Sequence, residues 1–227
     1  NSEDRFVNII LFGPPGAGKG TQADNLVKIF KLHKVSTGEL LRNEVIKNSD
    51  LGIEIDSIIK KGSFVSDEII NNLVKEDLSN DKFTNGLIFD GYPRNLNQVK
   101  NLDLLMKKKH QQISCVLSLN VDKDIVVKRI SGRQTCTKCG AIFNKFFKPS
   151  TEKNHHCKTK YLEVRNDDNV DTIKKRFETY LKKTLPILTF YKDQNILHEV
   201  NGMAEILQIH EEIRDIITSL EGWLYKL

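Results

Sequence analysis

Nine residues near the start of the 227-residue chain, Gly13-Pro14-Pro15-Gly16-Ala17-Gly18-Lys19-Gly20-Thr21, have the types and spacing to hold a phosphate. Successive backbone N–H groups of a glycine-rich turn can converge on one anion without side-chain obstruction. A helix starting there adds partial positive charge to the full charge of Lys19. An apolar run, residues 7–12, precedes the turn and a helix-like stretch, residues 22–30, follows it. A nucleoside di- or triphosphate is the natural guest of such a strand, loop and helix start. The hydroxyl that usually follows the lysine arrives one place late, at Thr21, because Gly20 intervenes. Magnesium must then lean more on water and on other residues.

Arg42, Arg94, Arg129, Arg133, Arg165 and Arg176 fall in polar or loop settings. Phosphoryl transfer spreads negative charge over the migrating group, so catalysis rests on positioning and on fixed positive charge. Arginines from several segments can supply that charge together, although each alone reads as a surface residue. A second constellation is Cys136-Thr-Lys-Cys139-Gly140. Its two thiolates can point at one metal from a knuckle-like turn, and Cys157 lies where the return strand of a hairpin would carry it. His155 or His156 can complete four ligands, neither at a standard spacing, and three reduced thiols held by ordinary packing is the alternative.

The elements that must position these groups are legible in outline. Apolar runs at residues 7–12, 86–89, 113–119 and 196–200 alternate with amphipathic helices, which predicts an α/β fold with an open, mainly parallel sheet covered on both faces. Functional loops then lie at the carboxyl ends of strands. That rule selects the phosphate loop and Asp90-Gly91-Tyr92-Pro93-Arg94, while Cys115 reads as a buried thiol. Ser36-Thr37-Gly38-Glu39 resembles a capping box opening a helix over 37–47, and Ser66-Asp67-Glu68 opens another. Residues 132–168 break the helical pattern and read as a small β-rich flap. A helix over 171–191 carries Ile173, Phe177, Tyr180, Leu181 and Leu188 on its apolar side, with Arg176 near its N-terminal half.

Composition bounds the function classes. A net charge of +5 is mild for a nucleic-acid binder and suits a site for small anions. Three of the four cysteines share one segment, as a metal site or reduced compartment would have them, rather than a disulfide framework. No stretch approaches the roughly 20 apolar residues of a membrane span, and residues 1–5 are polar rather than signal-like. A soluble, cytoplasmic protein is expected, with the mitochondrial intermembrane space or matrix left open.

Together these segments resemble the adenylate kinases, nucleoside monophosphate kinases of the long-lid type. The matching stretches are Gly13-Pro-Pro-Gly-Ala-Gly-Lys-Gly-Thr21, Ser36-Thr-Gly-Glu-Leu-Leu-Arg42, Phe64-Val-Ser-Asp-Glu68, Phe89-Asp-Gly-Tyr-Pro-Arg94 with Gln98, Arg129-Ile-Ser-Gly-Arg133, and Arg165-Asn-Asp-Asp168 followed by Arg176. They occur in family order. The resemblance implies a P-loop core (6–35, 66–131 and 169–220), a helical AMP-binding arm (36–65) and a β-rich lid (132–168). The implied reaction is ATP + AMP ⇌ 2 ADP, with a GTP:AMP phosphotransferase as the near alternative. It also implies magnesium with the nucleotide, a structural rather than catalytic zinc if the cysteines bind one, and a monomer without nucleic-acid or membrane partners. A zinc-ribbon nucleic-acid binder with a regulatory nucleotide site is the rival from another class, and no aromatic-basic stripe accompanies the knuckle to favour it.

The resemblance also implies roles. Gly16, Ala17, Gly18, Lys19, Gly20 and Thr21 would cradle the donor phosphates, with Lys19 following the moving group. Arg129 would stack on the donor adenine, Ile142 and Phe143 would cover its nucleoside, and Arg133, Arg165 and Arg176 would converge on the phosphates. Thr37, Arg42, Gly91, Tyr92, Pro93, Arg94 and the stretch Ser63, Phe64, Val65 would surround the acceptor, which Arg165 and Arg176 also reach. Gln98 would read its base. Asp90 would orient magnesium-bound water, and Asp167 and Asp168 would orient the lid arginines and hinge. Lid members with zinc use a second paired turn; here Lys160 stands where another ligand could lie. Ser150 replaces a proline common after the lid aromatics, and residues 221–227, with Trp223, carry no assignable role.

Overall fold

Apolar residues at nearly every position of Val7–Phe12 suit a strand covered on both faces, and the computed structural model, which describes residues 7–61, 63–79, 85–164 and 168–220, places it at the sheet's centre. Strand β1 (Val7–Phe12) leads into α1 (Lys19–Phe30), β2 (His33–Ser36), α2 (Thr37–Ile46), α3 (Asp50–Lys60) and α4 (Asp67–Ser79). Then come β3 (Gly86–Asp90), α5 (Leu96–Lys108), β4 (Cys115–Asn120) and α6 (Lys123–Ser131). Three short strands follow, β5 (Arg133–Cys136), β6 (Ile142–Asn144) and β7 (Leu162–Glu163), before α7 (Val170–Asp193), β8 (Leu197–Asn201) and α8 (Ile206–Ser219). Among the described residues no helix is long and apolar enough to cross a membrane.

The main sheet is parallel throughout, in the order β2-β3-β1-β4-β8. Side chains alternate across it. Val7, Ile9 and Leu11 join Leu26 and Phe30 of α1 and Ile209, Ile213 and Ile217 of α8 in one core. Ile10 and Phe12 join the opposite core with Val74 and Leu78 of α4, Leu102 and Met106 of α5, and Ile187 and Tyr191 of α7. Asn8 is fully buried on β1, and its amide is satisfied: Oδ1 accepts from Leu87 N (3.2 Å), while Nδ2 donates to Gln111 Oε1 (3.1 Å) and the Gln112 carbonyl (2.9 Å). Cys115 is buried as expected.

Edge strand β2 has no counterpart in the apolar runs, because four residues reading His-Lys-Val-Ser are too short and polar to show an alternating signal. Ser36 does cap α2, accepting from Glu39 N (3.4 Å), but the Glu39 carboxylate pairs with Lys34 (2.6 Å) instead of reaching back. On α7 the buried residues are Ile173, Phe177, Thr184, Ile187 and Tyr191, and Leu181 is 40% exposed. Their spacing of three, four and seven follows one helical face, and Leu181, four residues after Phe177 and three before Thr184, sits at the rim of that face, where it stays exposed. The small strands form an antiparallel sheet, β6-β5-β7, between α6 and α7. Within residues 133–164 its buried side chains are Cys136, Phe143 and His155.

Where β3 begins, Gly86 has φ +131°, and a Cβ there would lie 1.9 Å from the Val7 carbonyl oxygen. Gly86→Ala should therefore lower unfolding free energy by at least about 3 kcal/mol in urea titration. Gly20→Ala, on the first turn of α1 with nothing within 4 Å, should match or slightly exceed the parent in the same titration. Equal stability of the two variants would refute the close approach of β3 to β1.

Candidate active site

At the carboxyl end of β1 the chain turns sharply and enters α1 at Lys19. The turn closes through an Ala17 N–H bond to the Pro14 carbonyl (3.1 Å). Gly16 has φ +80°, and a Cβ there would strike Ile130 of α6 at 2.7 Å, so only glycine lets the loop lie this close to the helix. The N-cap is Gly18, with no side-chain bond to the helix and no acidic residue in the first turn. The first amides of α1 are thus left by side chains to an incoming anion. Ala17 is buried, while Gly16, Gly18, Gly20 and Thr21 are exposed.

Asp90, the last residue of β3, pairs with Lys19 across the crevice. Burial first, then the positive charges of Arg94 and Lys34, pull Lys19 down to about 8, against the attraction of that carboxylate. Desolvation and then the charge of Arg176 lower Arg94 from the usual guanidinium value, which leaves it cationic. Lys19, Arg94 and Arg176 therefore converge although 75 residues separate the first two and more separate the third. The Gly91 carbonyl accepts from Thr37 Oγ1 (3.0 Å) and Arg94 Nε (2.8 Å), tying α2 to the loop after β3. The exposed Arg42 guanidinium lies against Gly38, one turn from Thr37.

Beside them runs a narrow apolar cleft lined by Thr37, Leu40, Leu41, Ile70 and Leu73. Gln98 is 2% exposed: its Oε1 accepts from Arg94 N (2.7 Å) and its Nε2 donates to Asp67 Oδ1 (2.9 Å). Ser63 and Phe64 are exposed and Val65 half-buried, with Lys183 of α7 over the Phe64 ring at 4.2 Å. Tyr92 departs from the expected group, because its ring is buried in the core and its hydroxyl donates to Asn71 Oδ1 (2.8 Å). Pro93 is buried as well.

On the far side, Asp168 is buried and holds Arg133 through two bonds, from Nε (3.0 Å) and Nη2 (2.8 Å). Arg129 is half-buried near the end of α6, and its carbonyl accepts from Asn144 Nδ2 (2.7 Å). Ile142 is 60% exposed, whereas Phe143 faces into the small sheet and packs on the His155 ring at 4.7 Å. An inward Phe143 fits the scarcity of apolar residues there and leaves Ile142 as the exposed member of the pair. Arg165 and Asp167 lie outside the described residues.

Ligand atoms of Cys136, Cys139, His155 and Cys157 all lie within 4.8 Å of one another. His155 is the histidine brought in, and His156 stays exposed. The buried His155 Nε2 lacks a hydrogen-bond partner, while Nδ1 is 2.9 Å from Ser150 Oγ. A proton on Nδ1 donated to Ser150 leaves the Nε2 lone pair free, the arrangement a metal-ligating imidazole requires. Despite burial, hydrogen bonds from the Cys139 and Lys138 backbone draw the Cys136 thiol below its usual value. Burial and the neighbouring thiols push Cys157 above it. This soft S₃N set with an orphaned imidazole nitrogen fits zinc.

Asp67 was legible only as a helix opening, and Ser150 only as a missing proline; no local signal joins either to its partner. A cavity of about 420 Å³ beside Asp103, Gln111 and Tyr191 lies elsewhere, by Ser114 and Ile196, just before β4 and β8. That is the amino end of the sheet, where the helix N-terminus and convergent cations are absent from its lining.

The family model for adenylate kinase matches residues 11–196. An adenylate kinase of Pelagibacter ubique is 46% identical over 211 residues, covering 93% of this chain and 99% of the relative. Adenylate kinases of Limosilactobacillus reuteri (37% identical; 94% and 100% covered) and Thermosipho africanus (36%; 93% and 99%) are similar along nearly their whole length. With this match and the phosphate loop, parallel sheet and convergent cations described above, the chain belongs to the adenylate kinase family.

Proposed function

We infer that the chain catalyses ATP + AMP ⇌ 2 ADP in the crevice at the carboxyl ends of β1 and β3. The convergence of Lys19, Arg94 and Arg176 on the uncapped start of α1 carries this reading. Gly16, Ala17, Gly18, Lys19, Gly20 and Thr21 hold the donor phosphates, Arg129 stacks on the donor base, and Ile142 covers it. Thr37 and Arg94, already joined through the Gly91 carbonyl, hold the acceptor phosphate with Arg42. The acceptor base lies on the side of Thr37 and Gln98, with Gln98 reading its edge and the backbone of Ser63, Phe64 and Val65 closing over it. Arg133, Arg165 and Arg176 surround the transferred group, with Asp168 setting the plane of Arg133.

Fixed charge of this kind stabilises a diffuse transition state without needing to reorganise. The Asp90 carboxylate, a hard oxygen donor beside Lys19, suits a hydrated magnesium carried with the nucleotide, and that ion supplies neutralisation of phosphate charge. Anionic phosphates draw Lys19 away from Asp90, so the pair holds each partner in place before substrates arrive. In this assignment the core comprises 6–35, 66–131 and 169–220, the acceptor arm 36–65 and the lid 132–168. The lid keeps out water, which would otherwise accept the phosphoryl group.

Lys19→Met or Arg94→Ala should lower kcat by roughly 10²- to 10³-fold while thermal melting stays close to the parent's. A coupled assay supplying AMP with ATP, and with GTP in a parallel arm, reads this loss and the donor preference together. Parental turnover in either variant would overturn the assignment.

Cys136, Cys139, His155 and Cys157 hold structural zinc in the same reading, where its role is to staple the β5-β6-β7 sheet. With few buried side chains, that sheet gains little from apolar packing, so metal binding is where its folding energy comes from. Protein purified without chelator should carry close to one zinc per chain by elemental analysis. Cys136→Ser should abolish it and lower the melting temperature. Metal-free protein whose melting the substitution leaves unchanged would reject the zinc site and leave the phosphoryl-transfer assignment standing.

A further inference from the structure

We propose that Asp67 is a positioning residue that locks the Gln98 amide in one orientation and thereby sets which purine the acceptor site takes, an inference that rests on the assignment of Gln98 to the acceptor base. A glutamine amide is nearly symmetric in shape, and a half-turn about its last bond exchanges a hydrogen-bond donor for an acceptor. Left free, it would read either edge of a purine equally well. Adenine offers acceptor N1 beside donor N6, whereas hypoxanthine offers donor N1–H beside acceptor O6.

Here the two internal partners of Gln98 have opposite polarity that neither can change. The Arg94 backbone N–H, which only donates, meets Oε1 at 2.7 Å, and the ionised Asp67 carboxylate, which only accepts, meets Nε2 at 2.9 Å. The flipped amide would lose both bonds and set N–H against N–H and oxygen against carboxylate. One N–H and one lone pair remain for a base, in the order that complements adenine.

Asp67 is itself held firmly. It opens α4, where the helix N-terminus favours negative charge, and Asn95 Nδ2 donates to Oδ1 (2.9 Å) while Asn97 Nδ2 donates to Oδ2 (3.0 Å). Burial opposes ionisation, but these amides, Gln98 and the charge of Lys183 win and keep the carboxyl below its usual range. Lys183 also lies over Phe64, so the strut runs from α7 through the loop before α4 to the Gln98 amide.

Steady-state kinetics of the full chain with ATP as donor and AMP or IMP as acceptor tests this. Asp67→Asn replaces an obligate acceptor by an amide that can donate. The AMP-over-IMP ratio of kcat/KM should fall about tenfold or more, mainly through KM for AMP, with KM for ATP unchanged. Asp67→Glu, which keeps the carboxylate, should recover part of the preference. Gln98→Ala should collapse the same ratio. If Gln98→Ala leaves the ratio intact, the base-contact assignment itself fails. If Gln98→Ala collapses it while folded Asp67→Asn or Asp67→Glu weakens both acceptors equally, Asp67 is merely structural and the positioning role is overturned with the base contact retained.

Discussion

Parallel pairing of β1 with β3, with Leu11 opposite Asp90, brings the phosphate loop and the acidic end of β3 together at the carboxyl end of the sheet. Shifting that register by one residue would turn Ile9 and Leu11 away from α1 and α8 and move Asp90 away from Lys19. Both penalties act together, so core packing and site geometry specify the same alignment. Gly86 makes it attainable by letting β3 begin against the Val7 carbonyl, and the buried Asn8 side chain adds a bond to Leu87 that a slipped strand would lose.

Around those strand ends the protein solves a charge problem. Binding two nucleotides needs several cations close together in a partly buried crevice; burial first, and then the charges of Arg94 and Lys34, depress Lys19. Carboxylates relieve the crowding at separate points: Asp90 at Lys19, Asp168 at Arg133 and Asp67 among the amides around Gln98. Each also aims its partner. The two bonds from Arg133 to Asp168 fix the guanidinium plane, which a single contact would leave free to rotate.

The antiparallel sheet between α6 and α7 obeys different physics. The main sheet is sandwiched between helices, whereas this sheet buries little beyond Cys136, Phe143 and His155. Its order therefore depends on a local cross-link, and the thiol and imidazole groups that could form one are packed within 4.8 Å. Ser150, which stands where a proline is expected, places its Oγ 2.9 Å from His155 Nδ1, where accepting the Nδ1 proton would leave Nε2 free for a metal.

Features whose chemistry is local are legible in the amino-acid order. The phosphate loop lies in nine consecutive residues, the Ser36, Ser66 and Cys136-X-X-Cys139 turns within four, and the long strands in unbroken apolar runs, so each could be read from spacing alone. Strand limits shifted by a residue or two, as at Cys115–Asn120, because ladder bonds with neighbouring strands set them. The edge strand at His33–Ser36, the choice of His155 over its neighbour, the inward turn of Tyr92 and Phe143, and the pairing of Asp67 with Gln98 31 residues away emerge only from the folded chain. The physical reason is common to all of them: a side chain's partner across the fold depends on how helices pack on a sheet, and packing joins residues whose separation along the chain carries no period.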